Sequence, residues 1–542
     1  MSDAPDPPRP EPPAPARPGP RRPPPRDRQA APSGPGPGPG PGPGPVAANK
    51  GEEFPQMRPI LCLVGAALVC VHILFGRNDF EIRDRLLALI PIFPLLYEIN
   101  AFRKLPRGTE LPFGVYALLI YYITYSSPAL FNTVFNDLSG RVSFNDFARF
   151  QGTAAVALSS VMLYVGILLG RRTGTALQPT LLRIYPPSEM PASYPRAVSF
   201  YGLACIAATQ FITLGAKFPA AVGVLITMSL SLTFALGAIM AKPEGFRGPS
   251  TRYLLTTIIA VGTLSGVLRG VLEPIFRTTL TLFTVRWVHL RRFSAMAVVA
   301  LVGVYLVLQP AKASFREQTW FVRGSQQQAG YADRVSAWTT AITAVWTGRD
   351  SSATTEEASV SRLHELDPVL HAFTMLPGRV RSAEGAAWIN VLYSPIPRLV
   401  WPDKPTSNDF DKSYGVAFNR QNELGARSTS LLMPLIVDGY WNFGWPGIVF
   451  VSVAMGLWVG VCQKMYKGEH WALQATGVAQ FSLISVTGSF SLLYAGIAQM
   501  IIGGIMASWF VYWLARFLAT KEPVRLRTIV PRRPGPGRVP QR

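Results

Sequence analysis

From Pro59 onward the sequence is dominated by apolar runs of roughly 20 residues, the length that crosses the hydrocarbon core of a membrane. Backbone N–H and C=O groups find no water in that core, so each run must form a helix that satisfies its own hydrogen bonds. The sequence therefore predicts an all-α polytopic membrane protein with about twelve transmembrane helices. The predicted spans are 59–75, 86–100, 111–131, 153–170, 197–215, 218–240, 253–268, 271–285, 293–309, 444–463, 472–493 and 497–515.

The charge and hydropathy of the chain argue against a soluble nucleic-acid-binding protein. Its formal net charge of +21 is typical of a nucleic-acid binder, but its mean hydropathy is +0.22 and only 15% of its residues are charged. Soluble domains carry about 25% charged residues. We therefore interpret the positive charge as a topology signal and predict no nucleic-acid partner.

Lys and Arg are distributed unequally between the two predicted sides of the membrane. If the N-terminus is cytoplasmic, the connections on that side carry fifteen Lys or Arg against four acidic residues, and the short connections on the other side carry seven against five. Because cytoplasmic loops of membrane proteins retain the excess of Lys and Arg, this distribution predicts that both termini are cytoplasmic.

Composition divides the chain into five segments. Residues 1–54 are rich in Pro and Gly and cannot bury a core, which predicts a disordered cytoplasmic tail, either passive or a docking segment for proline-binding modules. Residues 55–309 hold the first nine spans, 310–443 form one large external loop, 444–515 hold the last three spans, and 516–542 form a basic cytoplasmic tail.

The external loop has its own structural pattern. It contains thirteen basic and thirteen acidic residues, and apolar residues at three- and four-residue spacing predict helices over Tyr331–Trp346 and Ser361–Met375 and a third over Ala383–Tyr393. Four prolines between 395 and 405 then force an irregular stretch. Long loops of compact proteins usually carry function.

Sequence signatures of soluble enzymes are missing. The chain contains no GxxxxGK[ST], GxGxxG, HExxH or GxSxG motif. The four cysteines, Cys62, Cys70, Cys205 and Cys462, all lie in apolar stretches, so they predict neither a disulfide framework nor a metal site. We therefore expect no nucleotide, metal or other cofactor.

Arginines alternate with aromatic residues along the external loop, including Arg316, Arg398, Arg427 and Trp401. Arg pairs with phosphate in a bidentate geometry and aromatic faces stack on sugar rings, so the pattern suits a lipid-diphosphate sugar. The alternative is that the arginines pair with the acidic residues and the aromatics form a belt at the membrane interface.

Two segments of the loop are more specific. The prolines of Ser394–Pro405 restrict the backbone, so they present Arg398, Asp403 and Lys404 with little conformational entropy left to lose. Asp438 and Asn442 lie four residues apart at the mouth of the tenth span and would share one helix face there.

Two further groups have both functional and structural interpretations. His364 and His371 share a helix face and either could act as a base, although a structural role is also open. Arg269, Glu273 and Arg277 form a row at four-residue spacing at the start of the eighth span. That row either locks helices together or turns Arg269 toward an external phosphate site.

The architecture and several motifs resemble the Wzy-type O-antigen polymerases, which are oligosaccharide repeat-unit polymerases of the bacterial inner membrane. The resemblance covers roughly residues 59–515, with many spans and one large loop before the last few. Its strongest motifs are Ile396–Pro405 (IPRLVWPDKP) and Tyr440–Gly444 (YWNFG), supported by Leu268-Arg269-Gly270 and Arg291-Arg292. Asp438 stands where this family would be expected to carry a glutamate, so its carboxylate is one methylene shorter.

The resemblance implies a GT-C-like, metal- and nucleotide-independent glycosyltransferase in the bacterial inner membrane. It would polymerise undecaprenyl-diphosphate-linked oligosaccharides on the periplasmic side for O-antigen, capsule or exopolysaccharide. Expected partners are the lipid bilayer and the chain-length regulator and flippase of the same pathway. The residues expected to bind the diphosphate are Arg269, Arg398 and Arg427, followed by Arg316 and Lys404. The candidates for the general base are Asp438, followed by Glu384, Asp403 and His371. The residues expected to bind the sugars are Trp401, Tyr440, Trp441 and Asn442.

Two other functions stay open on the sequence alone. An O-antigen ligase uses the same donor but transfers the chain to a lipid A-core acceptor, and its sequence pattern is barely distinguishable. A polysaccharide transporter or flippase is a third hypothesis. Transporters, however, tend to carry internal repeats and broken helices, and no repeat relates the two halves of this sequence.

Overall fold

A computed structural model describes fourteen helices and several shorter stretches of the chain. The described residues are 80–105, 110–131, 144–213 without 190 and 192, 295–320, 330–347, 365–393 without 377, 409–423, 431–466, 470–483 and 488–520, with isolated residues at 260, 264, 267, 268, 270, 396, 401, 403–405 and 426. The chain divides into two units, residues 1–69 and 70–542, and all described residues belong to the second.

The described residues are 81% helical and contain no strand, which confirms the predicted all-α class. A π-helical turn, Tyr122–Ser126, joins the third and fourth helices. In chain order the helices are α1 (Ile82–Leu89), α2 (Ile92–Arg103), α3 (Phe113–Tyr121), α4 (Ser127–Phe131), α5 (Asp146–Ile184), α6 (Tyr194–Thr213), α7 (Ala295–Trp320), α8 (Tyr331–Trp346), α9 (Leu366–Met375), α10 (Ala386–Tyr393), α11 (Asp409–Ala417), α12 (Leu435–Met465), α13 (Trp471–Leu483) and α14 (Phe490–Thr520).

Within the described residues, four helical segments are long and apolar enough to cross a membrane: Ile82–Arg103, Asp146–Ile184, Leu435–Met465 and Ile501–Ala519. Large apolar side chains on these segments are exposed, including Phe93 on α2, Leu168 on α5 and Trp513 on α14. An exposed apolar surface of this kind is expected against lipid tails. The coarse prediction of a helical membrane protein is therefore supported.

The central helix pair is α5 packed against α12, and the two helices run parallel. Gly166, Gly170 and Gly174 of α5 lie against Gly456 and Gly460 of α12, so close that a Cβ atom at Gly166 would stand 2.9 Å from the Cα of Gly456. Small residues at four-residue spacing allow two membrane helices to approach at backbone distance. This spacing is visible in the sequence, but which helices it joins is not.

A polar network closes one end of this helix pair. Arg171 of α5 pairs with Glu98 of α2 and donates to Gln463 Oε1 over 3.0 Å, while Lys464 Nζ contacts Glu110 Oε1 at 2.6 Å. Gln463 Nε2 also donates to Glu110 Oε2 over 3.0 Å, so the amide bridges the two ion pairs. Because two acidic and two basic side chains meet, the network buries its charges in compensated pairs.

Several predicted boundaries hold. Helix α8 spans the predicted Tyr331–Trp346, and α10 covers the predicted third loop helix from Ala386. Helix α9 begins at Leu366, while the preceding residues 361–364 of that prediction lie outside the described part. The break between the loop and the tenth span, predicted at 443/444, coincides with non-helical backbone at Phe443 and Gly444.

At three places a helix continues through a predicted connection, and of these the turn predicted at 494–496 is wrong. Helix α5 continues to Ile184, so the first half of the connection predicted at 171–196 is helical. Helix α7 continues to Trp320, eleven residues beyond the span end predicted at 309. The external turn predicted at 494–496 lies inside α14, which begins at Phe490 after Gly488-Ser489. Hydropathy marks where a helix becomes apolar, whereas helix ends depend on caps and breakers. The predicted first and sixth spans and residues 1–54 and 521–542 lie outside the described part, as do nearly all residues of the predicted seventh and eighth spans.

Candidate functional site

The Tyr440–Gly444 motif forms a sharp bend in α12. Phe443 (φ −143°, ψ 20°) and Gly444 (φ 63°, ψ −144°) are non-helical, and they separate a short helix, 435–442, from the longer apolar part, 445–465. Across the bend, a Cβ atom at Gly439 would stand 2.7 Å from the carbonyl oxygen of Gly447. Glycine is required at 444 for its positive φ and at 439 and 447 for the close approach of the backbones.

Asp438 lies at the centre of this bend and is fully buried. Its Oδ1 accepts hydrogen bonds from Trp388 Nε1 (3.1 Å) and Asn442 Nδ2 (2.8 Å), and its Oδ2 accepts one from the backbone N–H of Phe490 (2.7 Å). The contact with Asn442 confirms that these two residues share a helix face. Since Phe490 is the first residue of α14, the carboxylate also interacts favourably with the positive end of that helix dipole.

The non-helical segment 381–385 is hydrogen-bonded to the bend. Trp441 Nε1 donates to the carbonyl of Arg381 over 2.8 Å, and the carbonyl of Trp441 accepts from the backbone N–H of Ala383 (2.9 Å) and from Ser382 Oγ (3.1 Å). Gly385 (φ 85°) contacts the Phe443 ring, which a Cβ atom at that position would approach to 2.7 Å. This segment is therefore fixed against the bend along its length.

Glu384 is the exposed acidic residue of this segment, and its backbone is strained. Its φ is 48°, in the left-handed region that residues other than glycine rarely adopt. Such strain costs of order 1–3 kcal/mol and concentrates at functional sites. The structure therefore places one of the predicted base candidates in solvent, beside the bend, on a backbone fixed by hydrogen bonds.

Asp411 on α11 is a second buried carboxylate near Asp438, and the sequence analysis did not identify it. Burial raises the pKa of Asp411 to about 7; the Ser489 hydroxyl beside it opposes this rise and the Asp438 carboxylate adds to it. Asp411 is one of thirteen acidic residues in the predicted loop. Its only sequence signal is a position on the apolar face of a short helix, next to Phe410 and Tyr414.

Aromatic side chains surround the bend on both sides. Trp441 is buried and packs on Phe410 at 4.7 Å and Phe418 at 5.3 Å between ring centroids. Half-buried Tyr440 stacks near Phe373 of α9 at 4.2 Å. Trp441 and Asn442, predicted to bind sugar, are thus enclosed in the core, and Tyr440 is the member of the motif whose ring is partly accessible.

The proline-rich segment is represented by Ile396, Trp401 and residues 403–405. Lys404 is buried and its Nζ donates to the carbonyl of Ile396 over 2.7 Å, which closes the segment into a loop. Trp401 is partly exposed and packs on Tyr393, the last residue of α10, at 5.3 Å, and Asp403 is exposed. Helix α10 therefore connects this segment to Asp438 through Trp388.

Two predicted residues have structural contacts. His371 is buried on α9 and its Nε2 bonds the carbonyl of Phe418 at 2.8 Å, so the ring links α9 to the end of α11. Arg316 of α7 donates through Nε and Nη2 to the carbonyl of Gly270, at 3.2 and 3.0 Å. These hydrogen bonds from Arg316 fix Gly270, the residue that follows Arg269 in the chain.

The remaining diphosphate candidates Arg269, Arg398 and Arg427 lie outside the described residues, as do His364, Glu273 and Arg277. Their predicted roles stay predictions.

A further polar cluster that the sequence did not indicate lies near α9 and α11. Burial raises the pKa of Glu365 to about 7, the Arg420 guanidinium opposes that rise and the Asp367 carboxylate adds to it. Arg420 Nη1 also donates to the Tyr414 hydroxyl over 3.0 Å.

In the described part of the chain, apolar helices long enough to cross a membrane indicate a helical membrane protein, and residues 381–393 pack onto the bend of one of these helices, α12. The chain belongs to the family described as Domain of unknown function (DUF8712), whose model matches residues 193–520. The match extends from α6 to α14 and includes the bend, whereas α5 precedes it. No curated protein and no solved structure matches the chain.

Proposed function

We propose that this chain is a membrane glycosyltransferase that polymerises undecaprenyl-diphosphate-linked oligosaccharide repeat units at the periplasmic face of a bacterial inner membrane. The proposal includes a GT-C-like architecture of about twelve spans with both termini in the cytoplasm. The parallel packing of α5 and α12 is compatible with it, because the fourth and tenth spans of the proposed order run in the same direction.

The observation that carries the proposal is the junction between segment 381–385 and the bend. The Tyr440–Gly444 motif, one of the two strongest motifs of the resemblance, forms the bend of α12, and an accessible carboxylate, Glu384, is fixed beside it. A reaction on a lipid-linked sugar takes place at the membrane surface, so it needs rigidly held polar groups at that surface.

In the proposed reaction, a hydroxyl of the incoming repeat unit attacks the anomeric carbon that links the growing chain to its lipid diphosphate. A glycosidic bond forms, the bond to the diphosphate oxygen breaks, and undecaprenyl diphosphate leaves with the electron pair. We propose that Glu384 accepts the hydroxyl proton, since it is the most accessible of the base candidates next to the bend. Asp438 instead has three hydrogen-bond donors on its two oxygens and positions the surrounding elements.

The leaving diphosphate requires positive charge, which we assign to Arg269, Arg398 and Arg427. Arg316 supports this arrangement by fixing Gly270, and Lys404 by closing the loop that contains Arg398. Trp401 and Tyr440 are the sugar-binding candidates with accessible ring surface.

The test is reconstitution of the purified chain in lipid nanodiscs with an undecaprenyl-diphosphate-linked repeat unit. A polymerase produces a ladder of lengthening chains and releases undecaprenyl diphosphate. Transfer only when lipid A-core is added identifies a ligase, and movement of the substrate across proteoliposomes without any transfer identifies a flippase. Either of these two results contradicts the proposal.

A further inference from the structure

We propose that α10, Ala386–Tyr393, is a membrane-interface helix whose exposed face lies in the lipid boundary beside the bend of α12. The external loop would then be partly a membrane-bound element and not a purely aqueous one. This inference concerns where the helix lies and does not depend on the proposed reaction.

The exposed face of α10 is apolar. Leu392 is 74% exposed and Ile389 is 47% exposed, and these two residues are three positions apart on one side of the helix. The helix AAWINVLY contains no charged residue. An apolar helical stripe left open in this way is unfavourable in water and favourable at a lipid interface.

The side of α10 next to this stripe packs against helices that carry the lipid-facing surface, because Trp388 is four positions before Leu392. Trp388 stacks on Phe450 of α12 at 5.0 Å with an interplanar angle of 27°, and it contacts Phe490 of α14 at 5.2 Å. Phe450 is itself 51% exposed on the longer apolar part of α12. The apolar face of α10 is therefore continuous with the surface that α12 presents to lipid.

The depth of this contact suits an interfacial helix. Phe450 lies five residues after Trp445, where the longer apolar part of α12 begins, and a helix rises by about 1.5 Å per residue, which places Phe450 ~8 Å beyond the bend. Amphipathic interfacial helices bury their apolar face ~5–10 Å into the boundary between headgroups and acyl chains.

The residues that flank α10 fit the same placement. Arg379 and Arg381 precede the helix and are exposed, at positions where guanidinium groups can pair with anionic headgroups. Tyr393 and Trp401 pack together where the helix ends, and Tyr and Trp are the side chains that concentrate at membrane interfaces.

The test uses a fluorophore attached to cysteine in the full chain, with quenching by lipids that carry a nitroxide near the headgroup. Leu392→Cys is compared with Phe517→Cys, an exposed position on α14, and with Ser413→Cys, an exposed polar position on α11. Unsubstituted protein labelled in parallel gives the background from the four natural cysteines.

We expect the fluorophore at 392 to be quenched by the nitroxide lipid as at 517, and the one at 413 to be quenched by aqueous iodide only. Quenching at 392 by iodide alone, as at 413, would overturn the proposal. Protection from both quenchers would also overturn it, since that result assigns the face to a second copy of the chain. All three positions are exposed, so the labels do not require the core to rearrange.

Discussion

The indole N–H of Trp388 donates a hydrogen bond to Asp438 Oδ1 over 3.1 Å and thereby joins α10 to the bend of α12. The same carboxylate accepts the first N–H of α14 over 2.7 Å. One buried carboxylate thus connects α10, α12 and α14, which are far apart in the chain.

Substitution Trp388→Phe should lower the stability of the protein by about 1–3 kcal/mol, because it removes one donor from a buried carboxylate but retains an aromatic ring. Thermal unfolding in nanodiscs measures the effect. Trp346→Phe is the matched control, since Trp346 is exposed on α8, and it should leave the melting temperature unchanged. Equal melting temperatures for both variants would show that the Trp388 hydrogen bond contributes nothing.

Asp411 should make stability depend on pH. Its pKa is raised from 3.8 in the unfolded chain to about 7 in the folded protein, so the folded state binds the proton more tightly. The contribution of Asp411 to stability is then fully present below pH ~4 and is lost as the pH rises to ~7, by on the order of 2–4 kcal/mol. Asp411→Asn removes this loss, so the stability of the variant relative to the unsubstituted protein should increase between pH 4 and pH 8.

The control for this experiment is Asp409→Asn on the same helix, where the carboxylate is exposed and pairs with Lys412 at 3.6 Å. Its melting temperature should follow that of the unsubstituted protein at every pH. A difference between Asp411→Asn and the unsubstituted protein that stays constant from pH 4 to pH 8 would contradict the proposed protonation of Asp411.

The contact between α5 and α12 should tolerate no side chain at Gly170. A Cβ atom there would collide with the backbone of Leu457, so Gly170→Ala should cost about 1–3 kcal/mol. Gly303→Ala on α7 is the matched control, because a Cβ atom at 303 meets nothing within 4 Å. This control should be neutral or stabilising by up to ~1 kcal/mol, since alanine favours helix. If both variants unfold at the same temperature, the close packing of α5 and α12 is wrong.

Arg398→Ala and Arg427→Ala should each slow chain elongation by about 10²–10³-fold if the arginines stabilise the leaving diphosphate. Lysine at the same positions should restore only part of the rate, because its ammonium cannot form the bidentate pair. Arg183→Ala, an exposed position near the end of α5, serves as the control and should elongate normally. Full elongation activity in both alanine variants would contradict the assignment of Arg398 and Arg427 to the diphosphate site.

Local features of the structure could be predicted from the sequence. Helix α8 follows directly from apolar spacing, and the contact of Asp438 with Asn442 follows from their separation of four residues on a helix. The predicted boundary between loop and span at 443/444 coincides with the bend at Phe443 and Gly444, although the bend itself was not predicted. Each of these inferences needs only residues that are neighbours in the chain.

The long-range part of the site could not be predicted. Trp388 and Asp438 are separated by 50 residues, and nothing in the local pattern of either indicates the other. In the sequence, Asp411 cannot be distinguished from the other acidic residues of the loop; only the fold buries it beside Ser489 and Asp438. The backbone strain at Glu384 also arises from tertiary contacts, since hydrogen bonds from residues 382 and 383 to Trp441 fix the turn.

The most direct test of the proposed polymerase compares the unsubstituted chain with Glu384→Gln in nanodiscs that contain the lipid-linked repeat unit. Glutamine keeps the size and the exposed position of the side chain but cannot accept the proton. Glu423→Gln, which alters another exposed glutamate of the loop, is the matched control. We measure added repeats and released undecaprenyl diphosphate together.

The account predicts that the unsubstituted chain and Glu423→Gln release one undecaprenyl diphosphate for every repeat added. Glu384→Gln should be folded but slower by about 10²–10⁴-fold, the usual contribution of a general base. Failure of the folded, unsubstituted chain to elongate an intact donor would contradict the polymerase function. Undiminished elongation by Glu384→Gln would contradict the assignment of the base.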